Sequence, residues 1–212
     1  ITVQKTKIEE TKTSVLILGY WQDQPNKDIE KLDKQLNNTI QHSVKNKEFT
    51  GDIYQTKTFS TLGKFPFYQL ILIGLGKQTE FDIEKLRNVA ATAALTIKNN
   101  TVKHYATNIH ATTLNDSIED KTKAVVEATI LALYHFTDYK TVDRHKIHTV
   151  ETITLIETDN LPLVEKTITT ATIIAQATCF VRDMVNQPAS HMTPLTIADI
   201  AQKLPKQIKV TI

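Results

Sequence analysis

The residue groupings that could do chemistry are few, and each is local. Gly74-Leu75-Gly76 follows an apolar run and precedes a helical pattern, a setting in which backbone N–H groups can cradle a phosphate. The dinucleotide pattern needs a third glycine at position 79, where Thr79 stands, so the residues favour an ordinary strand-to-helix turn. Among seven histidines, His145 and His148 are the closest pair, with Arg144 and Lys146 around them. Cations beside an imidazole oppose a divalent ion and no HExxH occurs, so a solvated loop is expected. Cys179 is the only cysteine and no base stands near it in sequence, which suits a small buried thiol rather than a nucleophile. Arg182 and Asp183 are adjacent and read as a structural ion pair or a cap, with a contact to a further domain as the alternative. Lys121, Lys123, Lys140, Arg144 and Lys146 could gather into a basic patch, although a solvated surface is the ordinary outcome for such residues.

The stretch VRDMVNQPASHMTP, residues 181–194, dictates its own shape. Pro188 lacks a backbone donor and drives Gln187 toward an extended conformation, so an incoming helix ends there. Thr193 can cap a new helix with Pro194 in its first turn. Upstream, Leu161, Val164, Ile168, Ala171 and Ala175 form a helical stripe over 161–185, with Asn160 as the expected cap. Such a helix spans roughly 37 Å at 1.5 Å per residue, enough to cross a domain face.

Earlier segments alternate between the two periodicities. Residues 1–8 suit an edge strand, and SVLILG at 14–19 a strand buried on both faces. A loop carrying Trp21 and Pro25 follows. Ile29, Leu32, Leu36, Ile40 and Val44 predict one helix starting at Asp28. Residues 52–59 and 67–73 predict a hairpin, 82–98 a helix with a buried alanine face, and 102–109 a strand. Residues 117–136 predict a helix with apolar side chains around much of its axis, opened by a capping box from Ser117 and Asp120. A strand over 149–156 precedes the long helix, a helix over 193–204 follows the proline break, and 208–212 suit the first strand of another sheet. Alternating strands and helices with one hairpin imply an α/β layered domain on a mixed sheet. A terminal strand with no partner in the sequence implies that a second domain begins there.

The chain has 212 residues, 41% of them hydrophobic, which is enough for one domain with part of another. A net charge of +2 excludes a large uniform field steering it to nucleic acid. One cysteine rules out an intrachain disulfide and suits a reducing compartment. No apolar run approaches ~20 residues, so no membrane-spanning helix is expected, and the opening residues lack the pattern of a signal peptide.

RDMVNQPASHMTP resembles the RDLVNxPxNxLTP segment of the leucyl aminopeptidase (cytosol aminopeptidase) family, with Met184, Ser190 and Met192 as departures. FYQLILIGLGKQTEFDIEKLRNVAATAA resembles that family's strand, Gly-x-Gly turn and "LRxAA" helix. EATILALYHFTDYK resembles its EGxxLGxYxFxxYK segment, with Ala128 and Ala132 in place of glycines. The matches run in the family's order across residues 67–204. The resemblance implies a three-layer α/β/α macro-domain-like fold at 1–158, a linker helix at 159–187 and the start of a catalytic domain at 188–212. It implies a cytoplasmic metallopeptidase that removes N-terminal residues from peptides with two Zn²⁺ or Mn²⁺ ions, assembled as a hexamer. The family's lysine- and glycine-rich strand and its NTDAEGR segment supply the metal ligands, and neither occurs here. The resemblance therefore places no catalytic, metal-binding or cofactor-binding residue in this chain, and expects the chain alone to be inactive. It would pack on its own catalytic domain and help assemble the oligomer. Some family members bind DNA through this domain. The other reading is a free-standing macro-domain-like module for ADP-ribose-type ligands or nucleic acid, which rests on fold analogy.

Overall fold

A computed structural model describes residues 1–24, 27–142 and 148–203. The strand at 208–212 and the residues Arg144, His145 and Lys146 lie outside the described residues. The strands are β1 (Thr2–Gln4), β2 (Val15–Trp21), β3 (Thr56–Ser60), β4 (Gln69–Gly76), β5 (His104–Thr107) and β6 (Thr152–Ile156). The helices are α1 (Lys27–Gln35), α2 (Thr39–Lys45), α3 (Ile83–Asn99), α4 (Ile118–Leu133), α5 (Leu161–Asn186) and α6 (Pro194–Gln202). One mixed sheet runs β1-β6-β5-β2-β4-β3, in which β3 alone is antiparallel, paired with β4 as the expected hairpin. The α/β/α arrangement and the long helix after it follow the expectation from sequence.

Layering follows from the alternation of side chains along a strand. In β2, Val15 and Ile17 face one core with Leu86, Val89, Ala93, Val126, Val164 and Ile168 of α3, α4 and α5. Leu16 and Leu18 face the other, with Ile29, Leu32, Leu36, Ile40 and Phe49 from α1, the link to α2, α2 itself and the loop beyond. Burial on both faces is what the unbroken apolar run demands. Trp21, expected in a loop, closes β2 instead and packs edge-to-face on Phe81 at 5.0 Å.

The helix expected over 28–44 is two helices. Asn37 and Asn38 take left-handed φ values of 58° and 57° between them, a conformation asparagine tolerates better than most residues. Asp33 is buried in α1, and its carboxylate accepts from the N–H groups of Ile40 and Gln41 at 2.8 and 3.0 Å. It thereby caps α2 from the preceding helix. The apolar stripe continues across the break, so both helices cover the same face. Asp28 sits within the first turn of α1 rather than before it.

Other helix starts match their sequence signals. Asp82 accepts from Lys85 N–H at 2.7 Å, Ser117 from Asp120 N–H at 3.0 Å, and Thr193 from Thr196 N–H at 3.3 Å. The Ser117–Asp120 box is incomplete because the shorter Asp120 carboxylate takes the Ser117 hydroxyl, at 2.7 Å, instead of the backbone amide. α4 ends at Leu133, which leaves Phe136 outside the helix that was expected to include it.

Gly74 is the tightest point of the backbone. Its N–H donates to Gln55 O at 2.7 Å and its carbonyl accepts from Tyr54 N–H at 3.0 Å. A Cβ here would lie 2.0 Å from Asp52 O. Gly74→Ala is expected to lower stability by more than about 3 kcal/mol, because the backbone of Gly51 and Asp52 blocks the added atom. Gly63→Ala meets no atom within 4 Å at a φ of 76° and is expected to cost only about 1–2 kcal/mol of backbone strain. Urea unfolding of both variants checks the contrast, and equal midpoints would refute it.

Candidate functional site

The three segments singled out in the sequence meet around α4. Glu127, on its buried side, pairs with Arg87 of α3 at 3.1 Å. At its far end, Tyr134 donates its hydroxyl to Asp183 of α5 at 2.8 Å and accepts from Asn186 Nδ2 at 3.0 Å. Arg182 Nη1 donates to Leu131 O at 3.2 Å, and its guanidinium lies 5.5 Å from the centre of the Tyr134 ring. Tyr139 donates to Gln187 Oε1 and its ring meets His191 edge-on at 5.7 Å. Gln187 in turn donates to Asp138 at 3.4 Å. The sequence separation between these partners is about fifty residues, and the result is a clamp on the last turn of α5.

Arg182 and Asp183 therefore do not pair with each other. Neighbouring helical residues point about 100° apart, so each finds its own partner on α4 or just beyond it. Burial and the Asp183 carboxylate together hold the Tyr134 phenol above its usual range, which keeps it a donor. Cys179 is half-buried rather than enclosed, and lines a cavity of about 520 Å³ with Leu133, Tyr134 and Asp183. Burial raises its thiol pKa, so it is no ready nucleophile.

The Gly74–Gly76 turn is closed to phosphate. Gly74 N–H is held by Gln55 O, and Gly76 N–H by Gly51 O at 3.0 Å. A short turn, Gln78–Glu80, separates it from α3, which begins at Ile83. The basic patch does not assemble among the described residues. Lys121 is buried and donates to Thr112 O at 3.0 Å, while Lys123 and Lys140 are exposed. His148 is exposed.

A crevice of about 600 Å³ opens at the carboxyl ends of β2, β5 and β6, lined by Gly19, Trp21, Asn108, Thr112 and Glu157. The chain reverses its strand order here, the usual position of ligands on such sheets. Behind it sits a pair that the sequence did not announce. His110 is fully buried, and its Nε2 lies 3.4 Å from Glu157 Oε2 without the alignment of a hydrogen bond. Glu157 Oε1 accepts from the N–H groups of Thr158 and Asp159 at 2.8 and 2.9 Å, and from Asn160 at 3.4 Å. It does the work expected of Asn160, whose side chain caps nothing. Burial pushes the Glu157 pKa up, but those three amides outweigh it and hold the carboxyl below its usual range. A carboxylate three residues before the N-cap position of α5 was the one available signal; His110 gave none.

Among the described residues, no group of three or more His, Cys, Asp or Glu side chains converges to hold a metal ion. The described residues therefore bring together no donor set that fits a divalent pair. No helix among them is long and apolar enough to cross a membrane.

A family model for the N-terminal domain of the cytosol aminopeptidase family matches residues 17–143. A probable cytosol aminopeptidase of Alkaliphilus metalliredigens is 31% identical over 93% of this chain and 41% of its own length. One from Thermosynechococcus vestitus is 34% identical over 82% of this chain and 34% of its own. A mutant of tomato leucine aminopeptidase superposes with a TM-score of 0.77 at 19% identity, over 95% of this chain and 41% of that one. The chain thus spans between about a third and two fifths of the length of these relatives.

Two expectations follow from this geometry. Tyr134→Phe removes one donor to Asp183 and one acceptor from Asn186, and should cost about 1 kcal/mol. A double-mutant cycle with Asp183→Asn should show coupling, and additive effects would dissolve the clamp. Burial holds the His110 imidazole down at about 4, against an ordinary 6.5, and nearby Lys121 lowers it further while Glu157 opposes both. The unfolded chain therefore binds a proton between pH 6.5 and 4 that the fold refuses. Stability is full above pH 6.5 and falls as the pH drops toward 4, by on the order of 3 kcal/mol. Glu157 acts in the same direction at still lower pH. Urea titrations from pH 7.5 to 4.5 should show this slope, and His110→Gln should flatten it.

Proposed function

The chain belongs to the cytosol aminopeptidase family, and we propose that it is the N-terminal, non-catalytic portion of a leucyl aminopeptidase-type metallopeptidase. The parent enzyme removes N-terminal residues from peptides in the cytoplasm with two divalent ions, Zn²⁺ or Mn²⁺. Its ligands lie in sequence outside this chain. Residues 1–158 form the domain, 159–187 the linker helix, and 188–212 the start of the catalytic domain. This portion serves as a scaffold and as a part of oligomer assembly, a hexamer in the parent.

One observation carries the reading: relatives named as aminopeptidases match nearly the whole of this chain with only two fifths of their own length. The clamp supports the scaffolding role, since the side chains it uses fix the direction of a helix and present no reactive group. No step of the hydrolysis is assigned to any residue here.

The pure chain should hydrolyse no leucine amide with added Mn²⁺, while the product of the complete reading frame should do so and lose activity to a chelator. Measurable turnover by the chain alone would overturn the assignment of the metal ligands.

A further inference from the structure

The chemistry of the crevice at the carboxyl edge of the parallel strands is set by one carboxylate. Glu157 is 6% exposed and lies in the crevice wall. Its Oε1 is committed to the three amides of residues 158–160. Its Oε2 receives no hydrogen bond from any described residue, since His110 Nε2, 3.4 Å behind it, is out of alignment. An ionised oxygen so nearly buried is costly to leave without a donor, and a donor brought in through the crevice offsets that cost.

A crevice in this position ordinarily suits phosphate, because helix N-termini border it. Here both bordering helix starts already hold carboxylates: Asp28 in the first turn of α1, and Glu157 ahead of α5. Their charges occupy the positive ends of the two helix dipoles. The lysines of the lining are answered as well, with Lys31 3.8 Å from Asp28 and Lys7 3.7 Å from Glu10. Glu9 adds a third carboxylate to the wall. An anion therefore enters against the local field, and a cation enters with it. A divalent ion needs several converging oxygens, and no such group occurs among the described residues. An ammonium needs only one carboxylate and neutral polar neighbours. Asn108, whose side chain caps nothing, supplies those neighbours with Thr112 and Thr113.

We propose that this crevice binds a small polyhydroxylated amine, whose ammonium donates to Glu157 Oε2 and whose hydroxyl groups meet Asn108, Thr112 and Thr113. The ammonium bond is charge-assisted, about twice as strong as a neutral one, and it sets orientation. The hydroxyl contacts fill a volume of about 600 Å³ that an ammonium alone would leave to solvent. The inference concerns this chain by itself and does not depend on the parent enzyme proposed above.

Trp21, the only tryptophan of the chain, lines the same crevice, so its emission reports occupancy. Glucosamine titrated into the 212-residue chain should shift that emission saturably at millimolar concentration, with matching heat in calorimetry. N-acetylglucosamine keeps the ring and loses the charge, and should bind roughly tenfold more weakly or worse. Ribose 5-phosphate and ADP-ribose should give no saturable signal. Glu157→Gln keeps an oxygen for the three amides and should weaken glucosamine binding by roughly tenfold or more. Ala111→Phe, at an exposed position of the rim, should block entry while leaving the melting temperature unchanged. It carries the test if Glu157→Gln does not fold. Equal binding of the two sugars would overturn the ammonium contact. Binding of the phosphates in place of the amine would make this an anion site, and glucosamine without a saturable signal would remove the ligand class. Each of these three results sinks the inference.

Discussion

α4 is held from two sides, and the arrangement of the other helices depends on that grip. Its apolar side chains spread around the axis, so it cannot lie on the sheet as a simple amphipathic cover. It needs α3 along one flank and α5 along the other. Apolar packing supplies most of the free energy, being proportional to area but indifferent to direction. The directional part comes from a few polar contacts at defined points: Arg87 with Glu127 toward α3, and Tyr134 with Asp183 and Asn186 toward α5. Each is modest by itself because it lies near solvent. Together they turn three packed helices into one orientation of α5.

This explains why the segments that resemble the aminopeptidase family are the ones that touch. They are far apart in the sequence, yet their polar residues bond one to the next across α3, α4 and α5. None of those residues carries reactive chemistry. Their common effect is to aim the long helix and the turn at Pro188. Glu157 completes the task at the other end of α5, by holding the amides of the turn that leads into it.

Much of the fold was legible because it depends on local chemistry. The SVLILG run reported burial on both faces, and Ser117 and Thr193 announced their helices through the side-chain oxygen that each cap needs. The break at Asn37 and Asn38 was hidden because the apolar spacing runs straight through it. Asp33 reveals the second helix only once the chain has turned back on it. The clamp was half visible. Arg182 and Asp183 stood out as adjacent opposite charges, but adjacency in a helix separates side chains. Their true partners are about fifty residues away, where no local pattern can point. The Gly74–Gly76 turn was read as an ordinary one from its missing third glycine, and the tertiary approach of residues 51–55 supplies the physical reason by filling its amides. His110 is invisible, and its pairing with Glu157 with it, because burial of a polar pair is a property of the assembled core.

The sheet's far edge has a consequence for how the molecule is made. β1 takes its hydrogen bonds from β6, with Thr2 opposite Thr154 and Gln4 opposite Ile156. Loop closure over so long a separation costs chain entropy before any contact offsets it. During synthesis β1 is therefore out of the ribosome long before its partner exists, and waits with its backbone unpaired. It is also only three residues long, too short to recruit a stray strand in the meantime. Brevity at that edge guards the nascent chain against aggregation while the rest of the sheet is being translated.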